Sequence, residues 1–249
     1  MPKACSDTEL GAAAPLRRAL CVIPARGGSK RIPRKNVREF RGRPIIAYSI
    51  EAALKSGLFD EVMVSTDDEE VAEVARACGA RVPFMRSAEA SDDFATTSNV
   101  LAEVLAEYEA RGRSFDALCC LYATAPFVTA SELEEAASML GEGSPSVVAV
   151  TGFDFPPQRA FAIGADGSLE WERSEYALAR SQDLPPLAHD AGRFYFALVP
   201  EWRAARGFVM PGCRAFWVEP SLVQDIDTPS DWAVAEIKHR IAFERKGSE

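Results

Sequence analysis

Apolar residues in this chain come in two patterns. The first is the short uninterrupted run: Leu20-Cys-Val-Ile-Pro24, Val62-Met-Val-Ser65, Ala117-Leu-Cys-Cys-Leu121, Ser146–Val150, Phe194–Leu198 and Ala215–Val218. Runs of this length without alternation predict strands buried on both faces. The second is a helical recurrence between the runs. Pro44–Leu54 reads as a helix ended by Gly57, and Asp67-Asp-Glu-Glu70 opens another that Gly79 closes, its acids set where the helix dipole favours them. Thr97–Arg111 places Val100, Leu101, Val104, Leu105 and Tyr108 on one face, and Ser131–Leu140 is a further helix. At Thr228-Pro229 a last helix begins, with Thr228 as N-cap, Pro229 at the first helical position and Asp231 in the first turn. This alternation predicts an α/β fold, a mostly parallel sheet flanked by helices.

The rhythm breaks over residues 152–186, which hold Phe153, Phe155, Phe161, Trp171 and Tyr176. That stretch is too apolar for a solvated linker. Two readings are open, a β-rich arm packed against another subunit or a long loop folded over its own domain, and the aromatic content favours the arm. The expected organisation is a disordered tail over 1–18 and one domain over 19–249, with a dimerisation arm at 152–186 giving a homodimer.

Composition narrows the class. Hydrophobic residues make up 47% of 249, enough for a full core. No apolar stretch is long enough to cross a membrane, and no signal-like apolar segment precedes the first strand. A net charge of −9 and a pI near 5.0 speak against nucleic acid as a partner. The six cysteines, Cys5, Cys21, Cys78, Cys119, Cys120 and Cys213, form no C-x-x-C pair. They predict a reducing cytoplasm, with neither disulfides nor zinc.

Against that acidic background one segment is basic. Ala25-Arg-Gly-Gly-Ser-Lys-Arg-Ile-Pro-Arg-Lys-Asn36 follows the first strand and sets Arg26, Lys30, Arg31, Arg34 and Lys35 within ten residues. Gly27 and Gly28 allow a tight turn and close approach to a ligand. Cations beside a glycine turn at a strand end suit a polyphosphate. A solvated basic loop is the other reading of such a string. Neither the Walker spacing nor Gly-x-Gly-x-x-Gly is present.

A second signal lies near the C-terminus. Asp225 and Asp227 stand two apart in Gln224-Asp-Ile-Asp-Thr228, so on extended backbone they share a face. Paired carboxylates suit Mg²⁺, which takes one or two from protein and completes its shell with water and phosphate oxygens. Support of the helix start by Asp227 is the alternative.

The string Ile23-Pro-Ala-Arg-Gly-Gly-Ser-Lys30 with Ile32-Pro-Arg-Lys-Asn36 resembles the signature of cytidylyltransferases that activate sialic acids and related sugar acids, and Asp225-Ile-Asp-Thr228 resembles their metal motif. The resemblance covers about residues 19 to 245. It implies a Rossmann-like nucleotidyltransferase fold that joins a sugar acid's anomeric hydroxyl to the α-phosphate of CTP and releases pyrophosphate, with Mg²⁺ on Asp225 and Asp227. It implies Arg26, Lys30, Asp225 and Asp227 as catalytic residues. Ala25, Arg26, Gly27, Gly28, Ser29, Lys30, Lys35, Asn36, Arg86, Asp92 and Asp93 would contact nucleotide. Arg180-Ser-Gln-Asp183 and His189-Asp-Ala-Gly-Arg-Phe-Tyr195 resemble sugar-facing segments, which implicates Arg180, Gln182, His189, Asp190, Phe194 and Tyr195 together with Tyr122 and Thr124. At 122 the sialic acid enzymes carry Gln, and here the stretch reads Tyr122-Ala-Thr-Ala-Pro126. With Ser65-Thr-Asp-Asp-Glu69, this looks like the pseudaminic acid branch of the family. Activation of N-acetylneuraminate or legionaminate is the nearest alternative. A non-catalytic nucleotide-binding module on the same fold is a more distant one, which the intact carboxylate pair opposes.

Overall fold

The computed structural model describes residues 18–92 and 94–244. The first apolar run is strand β1 (Ala19–Pro24). The basic loop leads from it into a two-stranded hairpin, β2 (Glu39–Phe40) and β3 (Arg43–Pro44), and then helix α1 (Ile46–Lys55). Next come β4 (Glu61–Ser65), α2 (Glu69–Ala77), α3 (Thr97–Ala110), β5 (Ala117–Leu121), α4 (Ala130–Ser138) and β6 (Ser146–Gly152). A second hairpin, β7 (Phe161–Ile163) and β8 (Leu169–Trp171), precedes the long strand β9 (Ala188–Leu198). The chain closes with α5 (Val199–Ala205), β10 (Arg214–Trp217) and α6 (Pro229–Glu244).

One sheet has the order β10-β6-β9-β5-β1-β4. β1 pairs in parallel with β4 and β5, and β10 with β6, whereas β9 runs antiparallel between β5 and β6. The mostly parallel α/β architecture is as the sequence pattern leads one to expect. Burial on both faces explains the unbroken apolar runs. Cys21, Ile23, Cys119 and Leu121 meet Ile46, Ile50, Val71 and Leu133 of the helices on one side. Leu20, Val22, Leu118 and Cys120 meet Leu101, Val104, Tyr108 and Trp202 on the other.

Three details differ from the pattern reading. α1 begins at Ile46, because Arg43 and Pro44 pair with Phe40 and Glu39 in the hairpin. α5 is too short to show a clear periodicity. Arg18 belongs to the fold and not to a tail, since its guanidinium donates to Asp116 Oδ1 at 2.5 Å and Oδ2 at 3.1 Å; the rest of the expected tail, residues 1–17, lies outside the described residues. The segment 152–186 contains the β7–β8 hairpin joined to short 3₁₀ turns, and its Phe155, Ile163, Leu169 and Leu178 side chains are exposed.

A third apolar cluster positions the site. Ile32 of the basic loop, Phe40, Ile45, Phe127, Ile226 and Trp232 are all buried together. Ile32 lies among the cations and Ile226 lies between the two aspartates. Each such side chain contributes roughly 1.5–3 kcal/mol on burial. Burying both in one cluster brings segments nearly two hundred residues apart to the same place.

Candidate active site

The basic loop is built from both ends. Ala25 N donates to Ser65 O at 2.9 Å, which continues the β1–β4 pairing one residue past the strand. Gly27 N donates to Asp67 Oδ1 at 3.0 Å. A Cβ at Gly27 would stand 2.7 Å from Asp68 Cβ, so glycine is required for the loop to press against the start of α2, where Asp68 is the N-cap and accepts from Val71 N at 3.1 Å. Gly28 meets nothing within 4 Å and faces open space. Ser29 N donates back to Gly27 O at 2.9 Å, closing a tight turn, and Arg26 and Lys30 project from it exposed. Asn36 is buried and donates to Arg26 O at 2.9 Å, so it holds the loop from inside.

The two carboxylates project opposite Ile226. Asp227 Oδ2 lies 2.7 Å from Arg31 and its Oδ1 lies 3.4 Å from Lys35 Nζ, which also donates to Ile226 O at 2.9 Å. The basic loop and the aspartate pair are thus one structure. The helix-start role belongs to Asp231, whose Oδ2 accepts from Thr228 N at 2.8 Å and Asp227 N at 3.2 Å. The Asp227 side chain is engaged by Arg31 and Lys35 of the basic loop instead of by the helix start. Burial, then the charge of Asp227, holds the Asp225 carboxyl above the usual carboxylate range, against the pull of Lys35. A dication between the two carboxylates would relieve that repulsion. Among the described residues no third carboxylate, His or Cys joins them. The donor set therefore fits an ion that takes two protein carboxylates and fills its remaining positions from water and phosphate.

Beside Asp225 opens a cavity of about 870 Å³ at the carboxyl ends of the parallel strands β5, β6 and β10. Ligands of open α/β sheets bind there. Tyr122 and Tyr195 form one wall, with ring centroids 5.3 Å apart. Tyr195 donates to Asp190, 2.8 Å from Oδ1 and 2.7 Å from Oδ2, and burial pushes both phenols above their ordinary range. His189 lines the cavity, with Nδ1 2.8 Å from Asp190 O and its ring 4.8 Å from that of Phe153.

These groups reach the cavity because β9 bulges. Val148 faces Tyr195 but Val150 faces Asp190, so Ala191–Phe194 lie opposite the single residue Ala149. Gly192 takes a φ of +61° at the bend and donates to Asp190 Oδ1 at 2.7 Å. Bulges of this kind re-aim side chains beside functional sites. Buried Arg193 anchors this one by donating to Glu132 Oε1 and Oε2 at 2.9 and 2.7 Å and to Phe127 O at 2.9 Å.

Other expected site residues are placed as follows. Arg86 is buried against the end of β4, donating to Ser65 Oγ at 3.0 Å, and burial lowers its pKa. Asp92 caps a turn by accepting from Phe94 N and Ala95 N, and Asp93 lies outside the described residues. Thr124 is half-buried in the turn after β5. Arg180 and Gln182 are exposed on the segment before β9, Arg180 paired with Asp183 at 2.7 Å, and neither lines the cavity. Phe194 is a correction: it is fully buried against Phe196 and Phe216, on the opposite face of β9 from Tyr195. Sequence reasoning missed Thr151, Phe153, Gln224 and Lys238 in the lining and the Arg193–Glu132 anchor. No local motif marks them; they converge only through the sheet order. Thr151 Oγ1 is buried in the cavity wall without a hydrogen-bond partner.

Fold and site together define a nucleotidyltransferase of the α/β class. Comparison with known proteins agrees. The chain spans 92% of its own length and all of a solved CMP:2-keto-3-deoxy-manno-octonic acid synthetase complexed with CTP, at a TM-score of 0.64 and 21% identity, a likeness of fold. Residues 20–159 match the model of the cytidylyltransferase family. The chain is 42% identical to a pseudaminic acid cytidylyltransferase of Campylobacter jejuni over 90% of its length and 97% of the relative's. It is 32% identical to a CMP-N,N'-diacetyllegionaminic acid synthase of Legionella pneumophila, over 88% and 95%. The chain belongs to the cytidylyltransferase family and is a nucleotidyltransferase enzyme.

Proposed function

We propose that this enzyme activates pseudaminic acid with CTP to give the CMP-sugar and pyrophosphate. The observation that carries the reading is the junction at Asp227, where Arg31 and Lys35 tie the glycine-containing basic loop to the carboxylate pair at the mouth of the cavity. The basic loop takes the triphosphate, with Ala25 to Lys30 wrapping it and Arg26 and Lys30 meeting charge on the phosphates. Lys35 and Asn36 keep that loop in register, and Arg86 and Asp92 border the base. Asp225 and Asp227 would hold Mg²⁺, a divalent ion of the kind the family generally uses. When bound it neutralises phosphate charge and helps ionise a hydroxyl.

The sugar acid occupies the cavity. Its anomeric oxygen forms a bond to the α-phosphorus while the bond to the bridging oxygen breaks, the electron pair leaving with pyrophosphate and the hydroxyl proton passing to solvent. The chain's task is positioning and charge stabilisation. Tyr122 and Tyr195 bring two aromatic rings to the cavity wall, and the Tyr195 hydroxyl is already committed to Asp190. Such a wall suits pseudaminic acid, a deoxy sugar with a terminal methyl, better than the more hydroxylated N-acetylneuraminate. Asp190, His189 and Thr124 supply polar contacts. Arg180 and Gln182, on the arm, would reach sugar only across a dimer in which residues 152–186 pack against a second copy. The free thiols among the described residues suit a reducing cytoplasm. A pyrophosphate-release assay with CTP and purified nine-carbon sugar acids tests the reading. Preference for legionaminate or N-acetylneuraminate would move the substrate and leave the reaction.

A further inference from the structure

The charge inventory of the cavity is one-sided. Asp154, Asp190 and Asp225 line it, and among the described lining residues the one lysine or arginine is Lys238. A dication on Asp225 would offset part of that charge but would be taken up by phosphate, and the proposed substrate carries a carboxylate beside the carbon that reacts. Lys238 comes from α6, three turns beyond Asp227, and is half-buried. Its Nζ donates to Val223 O at 2.7 Å and approaches Pro220 O at 3.5 Å, both on the loop that carries Asp225. An ammonium has three donors, so two carbonyls fix its position and leave donor capacity over. The carbonyls add no net charge to offset it. Across the cavity, the end of β6 contributes Thr151, whose hydroxyl has no partner within the protein.

We infer that Lys238 recognises the carboxylate of the sugar acid and so sets the orientation of the anomeric hydroxyl towards the nucleotide. The inference rests on the sugar acid reading above. It makes Lys238 a specificity-determining residue: a neutral sugar of the same shape would leave the lysine's remaining donors without an anionic partner. A point charge held at one spot discriminates by charge and tolerates variation elsewhere on the ligand.

The test couples a variant to a substrate analogue. Wild type, Lys238→Met and Lys238→Arg are assayed with CTP and two ligands, the sugar acid and its C1 carboxamide. The expected result is a rise in KM for the acid of roughly ten- to a hundredfold in Lys238→Met, with KM for CTP nearly unchanged and partial recovery in Lys238→Arg. The preference of wild type for acid over carboxamide should also vanish in Lys238→Met. A carboxamide penalty that persists undiminished in Lys238→Met would overturn the inference and place carboxylate recognition elsewhere. So would a fall in kcat for both ligands alike, the mark of a residue that only shapes the 220–225 loop. Should Lys238→Met fold poorly, Lys238→Gln carries the same comparison, and equal use of acid and carboxamide by wild type refutes the inference with no variant at all. Wild type that turns over no sugar acid with CTP contradicts the parent reading instead, a result seen before any variant is made.

Discussion

At the scale of single residues, what sequence could and could not disclose depends on how locally each role is encoded. The basic loop and the aspartate pair are legible because spacing alone gives their geometry: glycines at a strand end, and carboxylates two apart around a buried Ile226. Phe194 misled because it sits beside Tyr195 in sequence, while strand alternation turns it into the core. Lys238 and Thr151 were invisible because their place in the cavity follows from sheet order. Two substitutions test the local account. Asp227→Asn should lower kcat on the order of a thousandfold, about 4 kcal/mol of transition-state stabilisation, without unfolding the protein; wild-type turnover at ordinary Mg²⁺ would remove the metal role. Gly27→Ala puts a methyl where the Asp68 side chain already is. It should raise KM for CTP by about tenfold or more through displacement of the loop, measured against an unchanged circular dichroism spectrum.

At the scale of elements, the pattern reading located most strands and helices because each long element carries its own periodicity. It missed α5 and the β2–β3 hairpin, which are short, and it did not see the β9 bulge, whose cause lies in a different element. Arg193 and Glu132 are 61 residues apart, and the pair holds the bulge to the first turn of α4, where Glu132 also closes the capping box with Thr129. Removing one partner leaves a charge buried and unpaired, so Arg193→Met should cost about 3 kcal/mol in denaturant unfolding. The double variant with Glu132→Gln should cost less than the sum of the singles. The C-terminal helix offers a pH test. His239 packs among Phe40, Tyr48, Phe127 and Phe243. Burial, then Arg41 and Arg43, lowers its pKa from 6.5 to about 4. Between those values the unfolded chain binds the proton and the folded one does not, so stability is full above 6.5 and falls as pH drops towards 4. His239→Phe should flatten the fall in Tm over that window; an unaltered slope would show that other groups set it.

At the scale of the whole molecule, an overall net charge of −9 contrasts with the basic loop at residues 26–35, the end of the site proposed above for the nucleotide. Residues 152–186 leave Phe155, Ile163, Leu169 and Leu178 largely exposed, the kind of surface a second subunit covers. Sedimentation should find a homodimer at micromolar concentration, and replacing Leu178 and Ile163 with Asp should shift it to monomer. The central claim, a CTP-dependent transfer to one class of sugar acid, is tested most directly by pyrophosphate release from the four nucleoside triphosphates against pseudaminic acid, legionaminic acid and N-acetylneuraminic acid. Fast release with CTP and pseudaminic acid, and much slower release in every other combination, is the predicted result. Release with no sugar acid at all, or CTP turnover as efficient with N-acetylneuraminic acid as with pseudaminic acid, would contradict it.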